Sequence, residues 1–473
     1  MSNVEASATS GVAASPTSAS ARRARVLYLA FYFPPLGGGG VQRALKFAKY
    51  LPEFGFEPWI VTGAATQRTR HAPLDASLGS EAPPEARVFR VAEPLPDDQR
   101  PDRLRRLLGR PSRFASAWRR QCVETGLGAA AGGRVDVILA SMSPFETSEA
   151  ATTLSAQLGA PWVADLRDPW ALDEMAVYPT RWHRALDLRR MRRCLASASF
   201  VIMNTPEAAR AVDRAFPELA GRTEVITNGF DEVDFAGTAP RCGDVFRIVH
   251  TGSLHVGLGT AHRRRRWLRR LAGGERVEVD ILARSHVYLL RALEQWQRER
   301  PDELARAELV LAGDLSPADR RVIADSPVFR SVRTPGYVSH AESVALLRSA
   351  DLLFLPMHGL PAGERARIVP GKTYEYLAAR RPILAAVPDG DARDFVLASG
   401  LADVCAPDDA RAMLDVLQRR FAEKQAGREV EPAPDSFYRQ FERRELAKKL
   451  ARSLASVIPD AARRGEPGRD RQT

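Results

Sequence analysis

Short apolar runs alternate with helix-patterned segments along nearly the whole chain, and this alternation most limits what it can fold into. Arg25–Phe31 is an almost unbroken apolar run that stops at Pro34-Pro35 and four glycines, after which Val41, Leu45, Ala48 and Leu51 recur at helical spacing. Similar runs follow at Pro58–Thr62, Val88–Val91, Val135–Ala140, Trp162–Asp165, Phe200–Met203 and Glu224–Ile226, with helical patterns at Phe145–Leu158, Trp182–Leu195 and Glu207–Phe216. Strands apolar on both faces and separated by helices predict a parallel sheet with right-handed crossovers.

The pattern restarts at Phe246 after the polar stretch Ala236–Asp244. Strands are expected at Val277–Leu282, Glu308–Ala312, Val332–Thr334, Leu352–Leu355 and Pro382–Ala386, and helices at Leu289–Glu299, Ala341–Leu347, Lys372–Ala379 and Ala410–Phe421, with a last helix over Phe437–Ile458. A length of 473 residues exceeds what one core organises. The expected class is therefore α/β, two doubly wound Rossmann-like domains: an N-terminal domain at 25–235, a linker at 236–244, a C-terminal domain at 245–435 and a closing helix at 436–458. The tails 1–24 and 459–473 are small-residue and polar, and are expected to be disordered. In such a pair the cleft between strand C-termini is the default ligand site.

Composition narrows the function classes. No run of about 18 apolar residues occurs, and the first 24 residues lack the apolar core of a signal peptide. Four cysteines without C-x-x-C spacing argue against a disulfide framework or a zinc site, and fit a reducing cytoplasm. The net charge of +11 comes from arginine, clustered at Arg100–Arg120, Arg181–Arg193 and Arg263–Arg270. Solvated helix faces and attraction to anionic lipid or phosphorylated ligands both account for these clusters; no nucleic-acid motif accompanies them.

Four segments carry chemistry. In Val369–Leu384 a Pro-Gly turn opens a short helix bearing Lys372, Thr373 and Glu375. Free N–H groups, an ammonium and a hydroxyl there suit a diphosphate, and Glu375, one turn on, can accept two sugar hydroxyls. Gly37–Gly40 follows the first strand; Gln42 stands where a dinucleotide fingerprint needs glycine, so Gly38, Gly39 and Gly40 read as a tight turn or a loop that approaches an acceptor or phosphate. Trp162–Trp170 ends a strand with Asp168 and Trp170. Asp168 either takes an acceptor's hydroxyl proton, with Trp170 stacked on a sugar ring, or caps a helix begun by Pro169. Thr251-Gly-Ser253 supplies small residues, Gly252 and Ser253, beside the presumed diphosphate. His255 and His358 sit on loops near the cleft. Asp389-Gly-Asp391 reads as a helix cap, and no convincing Asp-x-Asp metal motif is present.

Together Tyr32-Phe-Pro-Pro-x-Gly-Gly, Asp165–Trp170, Thr227-Asn-Gly-Phe-Asp231, His250-Thr-Gly-Ser253 and Pro370–Leu377 resemble a group 1 (family 4) glycosyltransferase of the GT-B fold, from about Arg25 to Ile458. The resemblance implies a nucleoside-diphosphate-sugar donor in the C-terminal domain. Glu375 would hold the ribose hydroxyls, Gly252, Ser253, Lys372 and Thr373 would line the diphosphate, and a sugar, lipid-linked or small-molecule acceptor would face the N-terminal loops. It implies retaining transfer in polysaccharide, glycolipid or natural-product synthesis. No cofactor or metal is expected beyond the co-substrate; the expected location is the cytoplasm, with peripheral contact at the membrane's inner face and an ordinary solvated surface as the two alternatives for the arginine clusters. The chain departs from the family pattern at Arg367, eight residues before Glu375, where the family has a glutamate, with Glu364 the nearest carboxylate. It also lacks a histidine after the fourth strand, where Ala140–Phe145 stands. A GT-B-type sugar-nucleotide epimerase and a non-catalytic sugar-nucleotide-binding scaffold are the alternatives.

Overall fold

A computed structural model describes residues 22–66, 74–83, 86–96, 102–237, 243–264, 271–273, 278–428 and 430–459. Most of both expected disordered tails, and residues 238–242 of the linker, lie outside them.

Each half forms one all-parallel sheet. In the first, β1 (Ala24–Ala30), β2 (Phe56–Thr62), β3 (Arg87–Arg90), β4 (Val137–Met142), β5 (Trp162–Leu166), β6 (Phe200–Met203) and β7 (Thr223–Val225) lie in the order β3-β2-β1-β4-β5-β6-β7. In the second, β8 (Phe246–Thr251), β9 (Ala307–Ala312), β10 (Val332–Gly336), β11 (Leu352–Pro356), β12 (Ile383–Ala386) and β13 (Ala402–Cys405) lie in the order β10-β9-β8-β11-β12-β13. The order reverses between β1 and β4 and between β8 and β11, which opens a crevice beyond the strand C-termini in each sheet. The loops after β1 and β8 are the glycine loop and Gly252-Ser253.

Several expectations are corrected. Residues 22–24 are not part of a disordered tail, because Ala24 opens β1 and Arg22 grips both oxygens of buried Asp136 at 2.7 and 2.6 Å. Val277–Leu282 forms no strand where described: Asp280 bonds the Leu282 N–H and turns the chain into a 3-10 segment, Ile281–Ala283, pairing only with Gly359 in an isolated bridge. The last helix breaks. Phe441 is buried in the second domain's core, and the exchange of Phe230 N–H to Phe441 O (3.1 Å) and Arg443 N–H to Phe230 O (2.9 Å) interrupts the helix between Arg439 and Arg443. Arg443–Val457 then returns to the first domain and buries Leu446, Ala447, Leu450 and Leu454 in its core.

The first domain is pinned from within by Arg43 on the Gly39–Tyr50 helix. Its Nε and Nη2 donate to Asp165 at the end of β5 (3.0 and 2.7 Å), and Nη1 donates to Thr227 O (2.8 Å). Both side chains of the pair are almost fully buried. Removing one partner of such a pair strands the other charge, at a cost of about 3–5 kcal/mol. Arg43→Met should lower the urea midpoint by that amount of stability, and adding Asp165→Leu should restore most of it; equal midpoints for Arg43→Met and wild type would show that the pair is not structural.

Candidate active site

The Gly371–Ala379 helix starts at Pro370 with no side-chain cap; the Thr373 N–H bonds the Pro370 carbonyl at 2.9 Å, and the N–H groups of exposed Gly371 and of Lys372 are the ones that could meet an outside acceptor. Over this end lies the β8 loop. Gly252 has φ 107°, and a Cβ there would stand 2.9 Å from Lys372 Nζ, so glycine is needed for backbone conformation and for the lysine's approach. Lys372 Nζ lies 2.9 Å from His250 Nε2, while His250 Nδ1 bonds Phe354 O at 2.9 Å. A carbonyl only accepts, so Nδ1 carries the proton and Nε2 accepts from the ammonium. Burial, then Lys372, holds His250 well below its ordinary range. Burial, then Arg284, pushes Lys372 down to about 7.

Arg284 reaches across toward the first domain. Burial lowers its guanidinium and the charges of Asp173, Asp168 and Glu174 oppose that fall. Asp173 is itself raised to about 7, by burial and then by Glu174. Arg284 of the second domain therefore faces three carboxylates of the first, with Lys372 on its own domain's side, and a bound anion would compete for the guanidinium.

The two domains meet at Glu174, on the segment after β5. Its Oε1 accepts the Arg367 N–H at 3.0 Å and lies 3.2 Å from His358 Nε2, with both side chains fully buried. Burial raises Glu174, but the His358 contact and backbone donors outweigh it and hold the carboxyl below its usual range. Arg367 also donates to Leu172 O at 2.7 Å, and its own carbonyl accepts from Thr205 Oγ1 at 2.7 Å. The residue that stands in place of the family glutamate is thus part of the domain seam. His358 belongs to that seam as well. Asp391 is not a cap for its own helix: it accepts the Glu207 N–H (2.7 Å) of the Pro206–Ala215 helix in the other domain.

The remaining expected residues divide. Ser253 is exposed and Glu375 half-buried beside the helix start. Glu375, after Asp234, contributes to holding His340 above its ordinary value against the effect of burial. Thr373 does not line the cleft: it is fully buried and its Oγ1 meets neither solvent nor a partner. Trp170 is no sugar platform. It is 4% exposed, stacked on Phe145 at 4.8 Å, and its Nε1 donates to Asp187. Asp168 is exposed and caps nothing, because Pro169 precedes a three-residue 3-10 turn without a side-chain cap bond. The Gly38-Gly39-Gly40 loop opens the Gly39–Tyr50 helix, again without a side-chain cap. Gly38 has φ 83°, a Cβ on Gly39 would meet nothing within 4 Å, and one on Gly40 would stand 3.0 Å from Arg167 Nη1, which donates to the Gly40 carbonyl. Arg284, Asp173 and Glu174 were missed because nothing in their local sequence marks them; only the fold brings them to the cleft. Among the described residues no three His, Cys, Asp or Glu side chains group as metal ligands, and no helix is long and apolar enough to cross a membrane.

Residues 38–229 match the family model of the glycosyl transferase 4-like domain. No curated protein matches the chain. Among solved structures, HepE from Anabaena, in complex with UDP and glucose, is 16% identical with a TM-score of 0.55, over 91% of this chain and 99% of that one. Sucrose-phosphate synthase from Thermosynechococcus elongatus is 16% identical with a TM-score of 0.57, over 93% and 96%. A putative UDP-N-acetylglucosamine 2-epimerase from Listeria monocytogenes is 13% identical with a TM-score of 0.52, over 92% and 96%. These likenesses establish the fold, two Rossmann-like domains in the GT-B arrangement.

Because Lys372 sits near pKa 7 when free, a diphosphate at Nζ should restore its ammonium. Donor binding should take up a proton at about pH 8, and affinity should fall as pH rises above about 7, by up to ten-fold per unit. Calorimetry in buffers of different ionisation enthalpy measures both, and Lys372→Met should abolish the uptake. Affinity independent of pH in wild type would remove Lys372 from the anion site.

Proposed function

We propose that the protein is a retaining, metal-independent glycosyltransferase that moves a sugar from a nucleoside diphosphate onto an acceptor hydroxyl. The observation that carries this reading is the uncapped Gly371 helix start beneath Gly252, with Lys372 at its side, in a chain whose opposite domain matches a glycosyl transferase 4-like model. The diphosphate would rest on the helix N–H groups, Gly252 and Ser253, with Lys372 and Arg284 neutralising charge as the bond from sugar C1 to phosphate oxygen breaks. Glu375 would hold ribose hydroxyls. The acceptor would enter past Gly38–Gly40 and attack C1 from the face that the phosphate leaves, which keeps the configuration, and as its oxygen bonds to C1 its proton would pass to Asp168. The UDP and glucose bound by HepE make UDP-glucose the first donor to try. Polysaccharide, glycolipid or natural-product synthesis by a cytoplasmic enzyme, peripheral at the inner face of an anionic membrane, belongs to the same reading. The epimerase alternative shares the fold but lacks support from the match over 38–229.

Donor turnover with pooled sugar and lipid-linked acceptors, in excess EDTA, is the deciding assay. Transfer should persist, and Asp168→Asn should lower it about 10²-fold with donor affinity unchanged. Activity lost to EDTA and restored by magnesium or manganese would end the metal-independent reading, and sugar inversion at the donor without any acceptor would replace transfer with epimerisation.

Glu375→Ala should weaken donor binding about ten- to a hundred-fold, the loss of a charge-assisted hydrogen bond of about 1.5–3 kcal/mol, without shifting the melting temperature. An unchanged dissociation constant in the folded variant would take Glu375 out of the site.

A further inference from the structure

We infer that Arg103–Leu108 and Trp182 form one docking face for an anionic lipid surface, locating the membrane contact that the proposed function includes and resting on that reading for its purpose. The Arg181–Ser197 helix cannot make this contact alone: His183, Met191 and Leu195 point inward, Arg190 pairs with Glu149 at 3.0 Å and Arg192 with Glu218 at 2.6 Å. Its exposed apolar side chain is Trp182, 53% exposed at the helix start.

The missing apolar surface comes from a distant part of the chain. Arg103–Leu107 is a short helix with no buried residue, and it leaves Leu104 69%, Leu107 65% and Leu108 51% exposed. It is fastened to the other segment. His183 Nε2 meets Leu107 O at 3.0 Å, Arg106 donates to Val177 O at 3.2 Å, and a Cβ on Gly109 would stand 3.1 Å from the Trp182 ring. Three leucines and an indole thus lie exposed on two joined segments. An exposed apolar cluster of this kind on a folded domain marks an interaction site.

Charge identifies the occupant. Residues 102–113 carry five arginines and one aspartate, and Arg103 and Arg110 are exposed. Leucines and an indole ringed by arginines suit the boundary between headgroups and acyl chains, where the apolar tips insert and the guanidiniums meet anionic headgroups. The position fits the proposed transfer: a cavity of 390 Å³ lies between the segments, bordered by Arg106, Arg110, Val177, Tyr178, His183 and Asp187, and the chain from Val177 leads back to Asp173 at the cleft. A lipid-linked acceptor would thereby leave the bilayer beside the active site.

The test is co-sedimentation of the full chain with phosphatidylcholine vesicles, with and without phosphatidylglycerol, at low and high salt, with no donor or acceptor present. Wild type should bind the anionic vesicles at low salt and release at high salt. Leu104→Gln with Leu107→Gln and Leu108→Gln, and separately Arg103→Gln with Arg110→Gln, should each lower binding about ten-fold or more with unchanged circular dichroism and melting temperature. No binding by wild type, equal binding to neutral vesicles, or folded variants that bind as wild type would overturn the inference, as would self-association in sedimentation velocity abolished by the leucine variants. Because binding is read without turnover, a chain that docks but transfers nothing fails the enzymatic reading alone, and one that transfers to soluble acceptors without docking fails this one alone.

Discussion

The cleft depends on a carboxylate from one domain being satisfied by the other. Glu174 is fully buried, and its partners are the Arg367 N–H and His358, both in the second domain. A charge removed from water must find donors, and here Glu174's own backbone is joined by the Arg367 N–H and His358 across the seam, which together hold the carboxylate although Oε2 is left without a hydrogen-bond partner. Arg367 adds a bond to Leu172 O and receives one from Thr205, and Asp391 accepts the Glu207 N–H. The returning Arg443–Val457 helix ties the chain's end to the first domain through apolar packing. The polar seam sets how the strand ends of the two sheets face each other; the helix limits how far they can part.

The electrostatics of the cleft follow from that apposition. Arg284 comes from the second domain, while Asp168, Asp173 and Glu174 come from the first, and Arg284 would feel none of the three in an isolated domain. Burial depresses Lys372 and raises Asp173 until both titrate near neutrality. Groups in this state change protonation for a small change in local charge, as when a diphosphate arrives or departs. An open, hydrated cleft would hold both nearer their ordinary values.

The sheets were legible because parallel strands are written as continuous apolar runs, and Val26–Phe31 or Leu352–Leu355 permit no other burial. Strand β13 was not, since Ala402–Cys405 is a half-exposed edge with Asp403 in its middle. The Arg113–Ala130 helix was missed for a related reason: alanine, glycine and arginine dominate it, and its buried face reduces to residues such as Trp118 and Cys122. Within the site, backbone features were readable, because proline, glycine and a helix start impose local geometry. Side-chain direction was not. Trp170 and Thr373 occupy the expected stretches yet point into packed interior, the tryptophan against Phe145, and local sequence has no means of stating that.

Arg367, where the glycosyltransferases that the sequence resembles have a glutamate, is held in place by the seam. Glutamate at that position would stand among Glu174 and the carbonyls of Leu172, with its own carbonyl held by Thr205, and would add a second buried carboxylate where one already uses the available N–H. Arginine suits the same place, supplying Nη1 to the Leu172 carbonyl while its backbone serves Glu174. The two residues are consequently coupled. The side chain that meets Glu174 across the seam is His358, while Arg367 brings its backbone N–H to Glu174 and its guanidinium to the Leu172 carbonyl. The contact that buries Glu174 also brings Asp168 and Asp173 beside Arg284, so the charge that Arg284 meets is set between the domains and not within the second one.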